Sequence, residues 1–396
     1  MMLKKTNSAR FIFIFLGMLT AFAPFVTDMY LPSLPVMISF FDTSVSMVQM
    51  GLTFSMLGLA AGQLLFGPLS DKYGRRRPLL ASTFLFIVST LLCIFSPNIE
   101  VFVALRFLQG IAAAGGVVIA RSVATDKFKG ANLAKALAIV GAINGIAPIA
   151  APVIGGIVVN KIGWQGIFWC LLILGFVLLS FTIRFSESLS HVRRSQTKLL
   201  QTVRRFKAVL QNRKFLFYTL ELSFSLAILF AYIAASPFII QNIYGFSALG
   251  FSLFFAANAV AIGLGSAAAV RFKSQNTGLK VSLCGMNLCV LLLMIVMPLY
   301  VSIVVLEGLF FALCFVLGIS FTIATAVAMD AARAYAGTAS AILGAAGFLF
   351  GSIVSPLVGL GNILISTGIV LFVCALLAAV SGYMGYRETS VFRFDR

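Results

Sequence analysis

The chain has 396 residues, of which 61% are apolar and 10% charged, against roughly 25% charged in a soluble domain. So few polar residues cannot cover a soluble surface, and so much apolar material excludes a disordered chain. The net charge of +18 would raise the question of nucleic acid in a soluble protein, but its placement along the chain points elsewhere.

A helix crosses the hydrocarbon core of a bilayer with about 20 apolar residues. Twelve stretches qualify: 11–38, 46–69, 78–96, 99–123, 136–160, 164–184, 214–241, 247–270, 278–299, 302–327, 336–361 and 366–386. Barrel strands would alternate apolar and polar residues, whereas runs such as Val290 to Pro298 are apolar on every side. The apolar run from Phe11 is longer than the core of a signal peptide and reads as the first span. With the N-terminus in the cytoplasm, 27 of the 29 Lys and Arg fall on the cytoplasmic side, as the positive-inside rule requires. Lys161 falls outside, and Arg106 falls within a span. The charge therefore serves orientation and contact with anionic lipid, not nucleic acid.

Residues 185–213 form the longest polar stretch and divide the chain into 1–184 and 214–396, six spans each. Leu199, Leu200, Val203, Phe206, Val209 and Leu210 recur at three to four residues, which predicts an amphipathic helix on the inner membrane face. None of the six Cys has metal-type spacing with the single His191, so neither zinc nor another metal site is expected. No G-x-x-x-x-G-K-[ST] run occurs, so nothing in the chain suggests an ATP-driven motor.

In chain order, the first span carries Asp28, about 25 Å from its inner start, within Asp28-Met29-Tyr30-Leu31-Pro32-Ser33-Leu34-Pro35. The loop after the second span reads Gly67-Pro68-Leu69-Ser70-Asp71-Lys72-Tyr73-Gly74-Arg75-Arg76-Arg77-Pro78. There Gly67 would permit close helix approach, Gly74 a tight turn, and Asp71 a pair with a nearby Arg. The fourth span carries Arg106-Phe107-Leu108-Gln109-Gly110, with Arg106 about 10 Å below the outer surface. The fifth carries Ala147-Pro148-Ile149-Ala150-Ala151-Pro152-Val153-Ile154-Gly155-Gly156. Its glycines, with Gly141 and Gly145, allow close packing, and its prolines allow bending. The eleventh span repeats the device with Gly344, Gly347, Gly351, Pro356 and Gly359.

A charge within the bilayer is costly, and is paired or functional. The depths of Asp28 and Arg106 differ by about 5 Å, so they can meet or couple through water. Asp28 is the expected proton carrier and Arg106 its electrostatic partner. Glu221, about 10 Å from the inner end of the seventh span, is a second proton site, a group for a cationic substrate, or an inward hydrogen-bonding residue. Glu307 is expected at the membrane interface, as are Trp164 and Trp169 unless they pack. Tyr30, Gln109, Asn144, Tyr232 and Gln241 are polar handles that could line a cavity for an amphipathic molecule.

The Gly67–Pro78 loop resembles motif A of the major facilitator superfamily, the Arg106–Gly110 run its motif B, and the Ala147–Gly156 run its motif C, the marker of antiporters. The Asp28–Pro35 run resembles the bicyclomycin/chloramphenicol resistance (Bcr/CflA) subfamily of drug:proton antiporters. So do Phe230-Ala231-Tyr232-Ile233, Ser236-Pro237-Phe238 and Ala336-Gly337-Thr338-Ala339-Ser340-Ala341. Glu221, where a neutral residue is expected, and Ala151 in motif C depart from the pattern. The resemblance implies an all-α membrane protein with a major-facilitator-type fold, twelve transmembrane helices in two six-helix bundles. It also implies a conformational gate drawn from Gly67, Asp71, Gly74, Arg75, Arg121, Pro148, Pro152, Gly155 and Gly156. The implied protein is a monomer without cofactor in a bacterial inner membrane, both termini cytoplasmic, exchanging protons for amphipathic antibiotics. Transport of a metabolite such as an amino acid, peptide or sugar is the alternative. An embedded enzyme lacks any constellation for metal or nucleophilic chemistry.

Overall fold

The computed structural model describes residues 7–190, 194 and 206–394, with Asn144 and some other helical residues described in their backbone alone. His191 and most of the expected amphipathic linker helix lie outside these residues; of that helix, 206–210 are helical.

The chain is helical from end to end of its apolar stretches. Helix α1 (Ala9–Asp28) opens on Ser8, whose hydroxyl accepts from the N–H of Phe11, and the serine satisfies a donor that the first turn leaves open. It stops at Asp28, short of Pro32 and Pro35. A 3-10 turn (Leu31–Ser33) and α2 (Leu34–Phe41) complete the first span. There follow α3 (Val45–Tyr73), α4 (Arg76–Ile94) and α5 (Ile99–Lys127).

The next helix, α6 (Gly130–Arg184), has 55 residues, about 80 Å and more than twice the hydrocarbon thickness. It breaks at Ile162 and Gly163, the glycine at φ 73°, which yields the fifth and sixth spans. The second half holds α7 (Arg213–Phe238), α8 (Ala248–Ala269), α9 (Gln275–Val296), α10 (Ile303–Ala331), α11 (Ala336–Leu357) and α12 (Ile363–Phe394). Among the described residues 11 helical stretches are long and apolar enough to cross a membrane. The break in α6 divides one of them, in agreement with the twelve spans read from the sequence.

The helices form two compact units. One holds the chain up to Ser33 and from Phe54 onwards; the other holds Leu34–Thr53 with the second half of the sequence. In the first unit α1 and α4 both pack on α5 and α6. In the second, α7 packs on α10, α11 and α12, and α10 also on α8 and α9. The segment Leu34–Thr53, grouped with the first bundle by sequence, sits with the second unit for local reasons. The Gln49 amide donates to the carbonyl of Ala234 at 3.0 Å, and the Ser46 hydroxyl to that of Pro356 at 3.3 Å.

Lipid tails are as apolar as the side chains, so helices in a bilayer are held by close backbone contact more than by the hydrophobic effect. Each unit has one such contact built from a pair of glycines. A Cβ on Gly58 would lie 2.2 Å from the carbonyl oxygen of Phe107, and one on Gly110 2.0 Å from that of Ser55. In the second unit, a Cβ on Gly265 would lie 1.9 Å from the carbonyl oxygen of Phe315, and one on Gly318 2.1 Å from that of Ile262. The pairs join the second to the fourth span and the eighth to the tenth. The same device thus recurs at corresponding places in the two halves. Gly110, the last residue of the Arg106–Gly110 run, is therefore a packing position.

Other glycines lack this role. At Gly141 and Gly145 a Cβ would meet nothing within 4 Å, and at Gly67 only Val118 at 3.9 Å, an ordinary contact. The close helix approach expected of Gly67 falls instead at Gly62, where a Cβ would lie 2.6 Å from the carbonyl oxygen of Ile111.

Gly318→Ala is expected to cost about 1–3 kcal/mol by forcing α8 and α10 apart. Gly263→Ala, on α8 but with nothing within 4 Å of an added Cβ, should be neutral or stabilising by up to about 1 kcal/mol. Thermal unfolding in detergent would check the pair; equal shifts would show that the glycine contact does not hold the helices.

Candidate functional site

The first site grows out of the broken end of α1. The last four carbonyls of a helix have no partners within it, and together they carry the negative end of its dipole. Arg106 of α5 occupies this end. Fully buried, it donates from Nη2 to the carbonyl oxygen of Val26 at 3.0 Å and from Nη1 to Oε1 of Gln109. Its guanidinium lies 4.2 Å from the centre of the Tyr30 ring and 5.8 Å from that of Phe168, a cation–π arrangement. Gln109 is fixed in turn by donating to the Thr90 hydroxyl at 2.7 Å.

Asp28, two residues beyond Val26, is 7% exposed, and its Oδ1 accepts from the Thr27 hydroxyl at 2.8 Å. Among the described residues no ion pair joins Asp28 to Arg106. The two are neighbours at one helix end, where the guanidinium takes the carbonyl of Val26 and the ring of Tyr30 as its partners. Gly155 of α6 closes the site from another side: a Cβ there would lie 1.9 Å from the carbonyl oxygen of Met29. This is how the Ala147–Gly156 run and the Asp28–Pro35 run, distant in sequence, become one place. Gly156 and Pro152 are buried beside it, and Pro148 is half-buried a turn earlier.

The second site is the turn between α3 and α4. Gly74 has φ +90°, so the backbone there favours glycine, and a Cβ would also have to displace the Glu187 carboxylate. Arg75 is the hub. Its Nη1 reaches Asp71 at 2.5 Å and the Ser70 hydroxyl at 2.8 Å, and its Nε reaches Asp126 at 2.9 Å. Burial works against its charge, but the hydrogen bonds to Asp126 and Asp71 outweigh it and raise the pKa above the ordinary value. Glu187 accepts from the backbone N–H groups of Arg75 at 2.9 Å and Arg76 at 3.2 Å, a carboxylate at the positive start of α4. The Ser188 hydroxyl donates to Asp126 at 3.0 Å. Arg121 is exposed on α5.

Asp126 and Glu187 were not foreseen as members of this network. The signal was their scarcity: two of only 11 acidic residues in the chain, both beside strongly basic segments.

The second unit buries two further carboxyls. Glu221 of α7, fully buried, accepts from the hydroxyls of Ser320 at 2.5 Å and Ser225 at 3.1 Å. Glu307 of α10 corrects the expectation of an interfacial residue. It is 8% exposed, and its Oε2 accepts from the Asn258 amide at 2.8 Å. The same amide donates to the Tyr232 hydroxyl at 2.7 Å. Glu307 lies one turn into α10, but that turn faces α7 and α8. Position along a helix gives depth, while facing is set by the neighbours.

Of the expected polar handles, Tyr30, Gln109 and Tyr232 are buried within these networks. Gln241 is half-buried in the π-helical turn Ile239–Ile243 after α7. The side chain of Asn144 lies outside the described ones. Trp164 is 2% exposed and packs edge-on against Phe102 and Phe168, while Trp169 is 43% exposed.

Comparison with known proteins places this geometry. The family model for the Major Facilitator Superfamily matches residues 16–356. An uncharacterised MFS-type transporter, YdgK of Bacillus subtilis, is 36% identical over 92% of this chain and 93% of its own length. A bicyclomycin resistance protein homologue of Haemophilus influenzae is 30% identical over 89% and 90%. Among solved structures, a bacterial homologue of the human lysosomal transporter Spinster superposes with a TM-score of 0.75 at 14% identity, covering 98% of each chain; at that identity the likeness is one of fold.

Removing Asp126 leaves the buried guanidinium of Arg75 with only the exposed Asp71 and the Ser70 hydroxyl, a partial loss of the compensation that a buried charge needs. Asp126→Ala is therefore expected to lower stability by about 2 kcal/mol, read as the unfolding midpoint in detergent. Asp71→Ala, whose side chain is 56% exposed, should cost about 1 kcal/mol or less. Equal losses would sink the assignment of Asp126 as the principal partner of Arg75.

Proposed function

This chain belongs to the major facilitator superfamily, and we propose that within it the protein is a proton-coupled exporter that exchanges protons for amphipathic antibiotics of the bicyclomycin/chloramphenicol type. The observation that carries the reading is the end of α1. A buried carboxyl, Asp28, stands there with no ion-pair partner among the described residues, beside a guanidinium seated on the carbonyl of Val26 and the ring of Tyr30. A carboxyl so placed gains or loses a proton at an energy set by how its surroundings change. Arg106 tunes that energy from the other side of the helix end. Glu221, held by two serine hydroxyls, is a further proton-coupling group.

The likeness to a relative described as a bicyclomycin resistance protein homologue supports the substrate class, as do the antiporter-like glycines and prolines of α6. Tyr30, Gln109, Asn144, Tyr232 and Gln241 are the polar residues assigned to substrate. The turn around Asp71, Gly74 and Arg75, with Gly67 and Arg121, and the α6 run at Pro148, Pro152, Gly155 and Gly156, form the gate. Alternating access follows if proton and substrate favour different states. The working unit is a monomer of two six-helix bundles, 1–184 and 214–396, joined by 185–213. It lies in a bacterial inner membrane with both termini in the cytoplasm, the side that carries 27 of 29 basic residues.

In energised inverted vesicles, addition of bicyclomycin or chloramphenicol should release stored protons. Asp28→Asn should reduce that release at least tenfold while the folded protein persists. Full pH-gradient-driven transport by Asp28→Asn would overturn the assignment of the proton. Proton release with an amino acid, peptide or sugar, and with no drug, would overturn the substrate class.

A further inference from the structure

We propose that Glu307, with Asn258 and Tyr232, forms a proton-binding site of its own inside the second unit, separate from Asp28 and from Glu221. Three helices build it: Tyr232 from α7, Asn258 from α8 and Glu307 from α10. Asn258 is 2% exposed and Tyr232 2% exposed. The single Asn258 amide bridges the other two, donating to the tyrosine hydroxyl at 2.7 Å and to Glu307 Oε2 at 2.8 Å. The second carboxyl oxygen, Oε1, is buried and has no hydrogen-bond partner among the described residues.

The walls are aromatic. The Tyr232 ring lies 4.8 Å from that of Phe310 and 6.0 Å from that of Phe255. The other ionisable groups facing Glu307 are Tyr232, Tyr244 and Cys314, all neutral in their ordinary form. Among the described residues no Lys or Arg pairs with it. Tyr244 is itself tied down, donating to the carbonyl of Val301 at 2.7 Å.

An ionised carboxylate enclosed in this way would be an uncompensated buried charge, which costs several kcal/mol. A bound proton removes that cost and leaves a neutral acid that still accepts from Asn258. A glutamine would serve Asn258 equally well. What the carboxyl adds is the capacity to take up and release a proton. Buried polar groups are as a rule satisfied on all sides, and the open Oε1 is the atom at which that proton binds. With Asp28 in one unit and Glu307 in the other, a transport cycle can move more than one proton. The site is defined by proton binding, so it does not depend on the identity of the exported molecule.

The test is infrared titration of the purified full-length protein in detergent, following the C=O stretch of protonated carboxyls in apolar surroundings. The background is Asp28→Asn with Glu221→Gln, compared with the same protein carrying Glu307→Gln. The expected result is one carboxyl band that titrates between roughly pH 5 and 9 in the background and is absent once Glu307 is replaced. Asn258→Leu, which keeps the carboxyl but removes its hydrogen-bond donor, should move the midpoint by about one pH unit or more. Spectra that are the same with and without Glu307, or a Glu307 band unchanged across that range, would overturn the proposal. If vesicle transport fails while the band titrates, the exchange reading falls and this site stands.

Discussion

The hydrocarbon interior offers no water to a polar group, and the arrangement of this protein follows from that shortage. An ionised side chain there costs several kcal/mol unless something compensates it. The spans contain few such groups, and each has found a different solution. Arg106 uses a helix end: the unpartnered carbonyl of Val26 supplies partial negative charge, and Tyr30 supplies the face of a ring. Glu221 uses two hydroxyls. Asp28 and Glu307 have one hydrogen-bond donor each. Neither kind is fully satisfied: among the described residues Arg106 Nε, Glu221 Oε2 and Glu307 Oε1 are buried without a hydrogen-bond partner. A carboxyl with an open oxygen, as at Glu221 and Glu307, has room for the proton proposed for it.

The same shortage governs packing. Backbone carbonyls already bonded within a helix can still accept close neighbours, provided no Cβ intervenes. Gly58 and Gly110 in one unit, and Gly265 and Gly318 in the other, place helices against one another at backbone distance. Gly155 does so against Met29, next to Asp28. A glycine at that position has two consequences at once. It fixes α6 on the break in α1, and it makes the surroundings of the carboxyl depend on where α6 lies.

The sequence disclosed what depends on long windows. Spans of 20 or so apolar residues and the sidedness of basic residues are sums over many positions, and single exceptions hardly disturb them. The break at Ile162 and Gly163 was legible too, since the apolar runs on either side are each long enough to span. What was hidden depends on which residues meet. The network around Arg75 joins residues 71, 126 and 187, and no local pattern marks Asp126 or Glu187 as its members. Arg106 was expected to meet Asp28 or to couple to it through water; what the sequence could not show is that its guanidinium sits on the carbonyl of Val26, an acceptor that every residue carries. Glu307 was expected at the interface because distance from a helix end measures depth, not facing.

Those hidden features share a cause that bears on mechanism. Apart from the Asp71–Arg75 pair, each joins helices far apart in the chain, so each depends on how those helices pack. Asp71 illustrates the point within its own loop. Arg75 is held from below by Asp126 and capped at its backbone by Glu187, while Asp71 keeps 56% of its side chain exposed. A residue bonded on one side and open on the other can exchange partners at little cost, whereas Asp126, 9% exposed, cannot. The acids around Arg75 therefore divide between a buried one, Asp126, that sets its position and an exposed one, Asp71, that is open to a changing environment, and the exposed one suits the gate proposed for this loop.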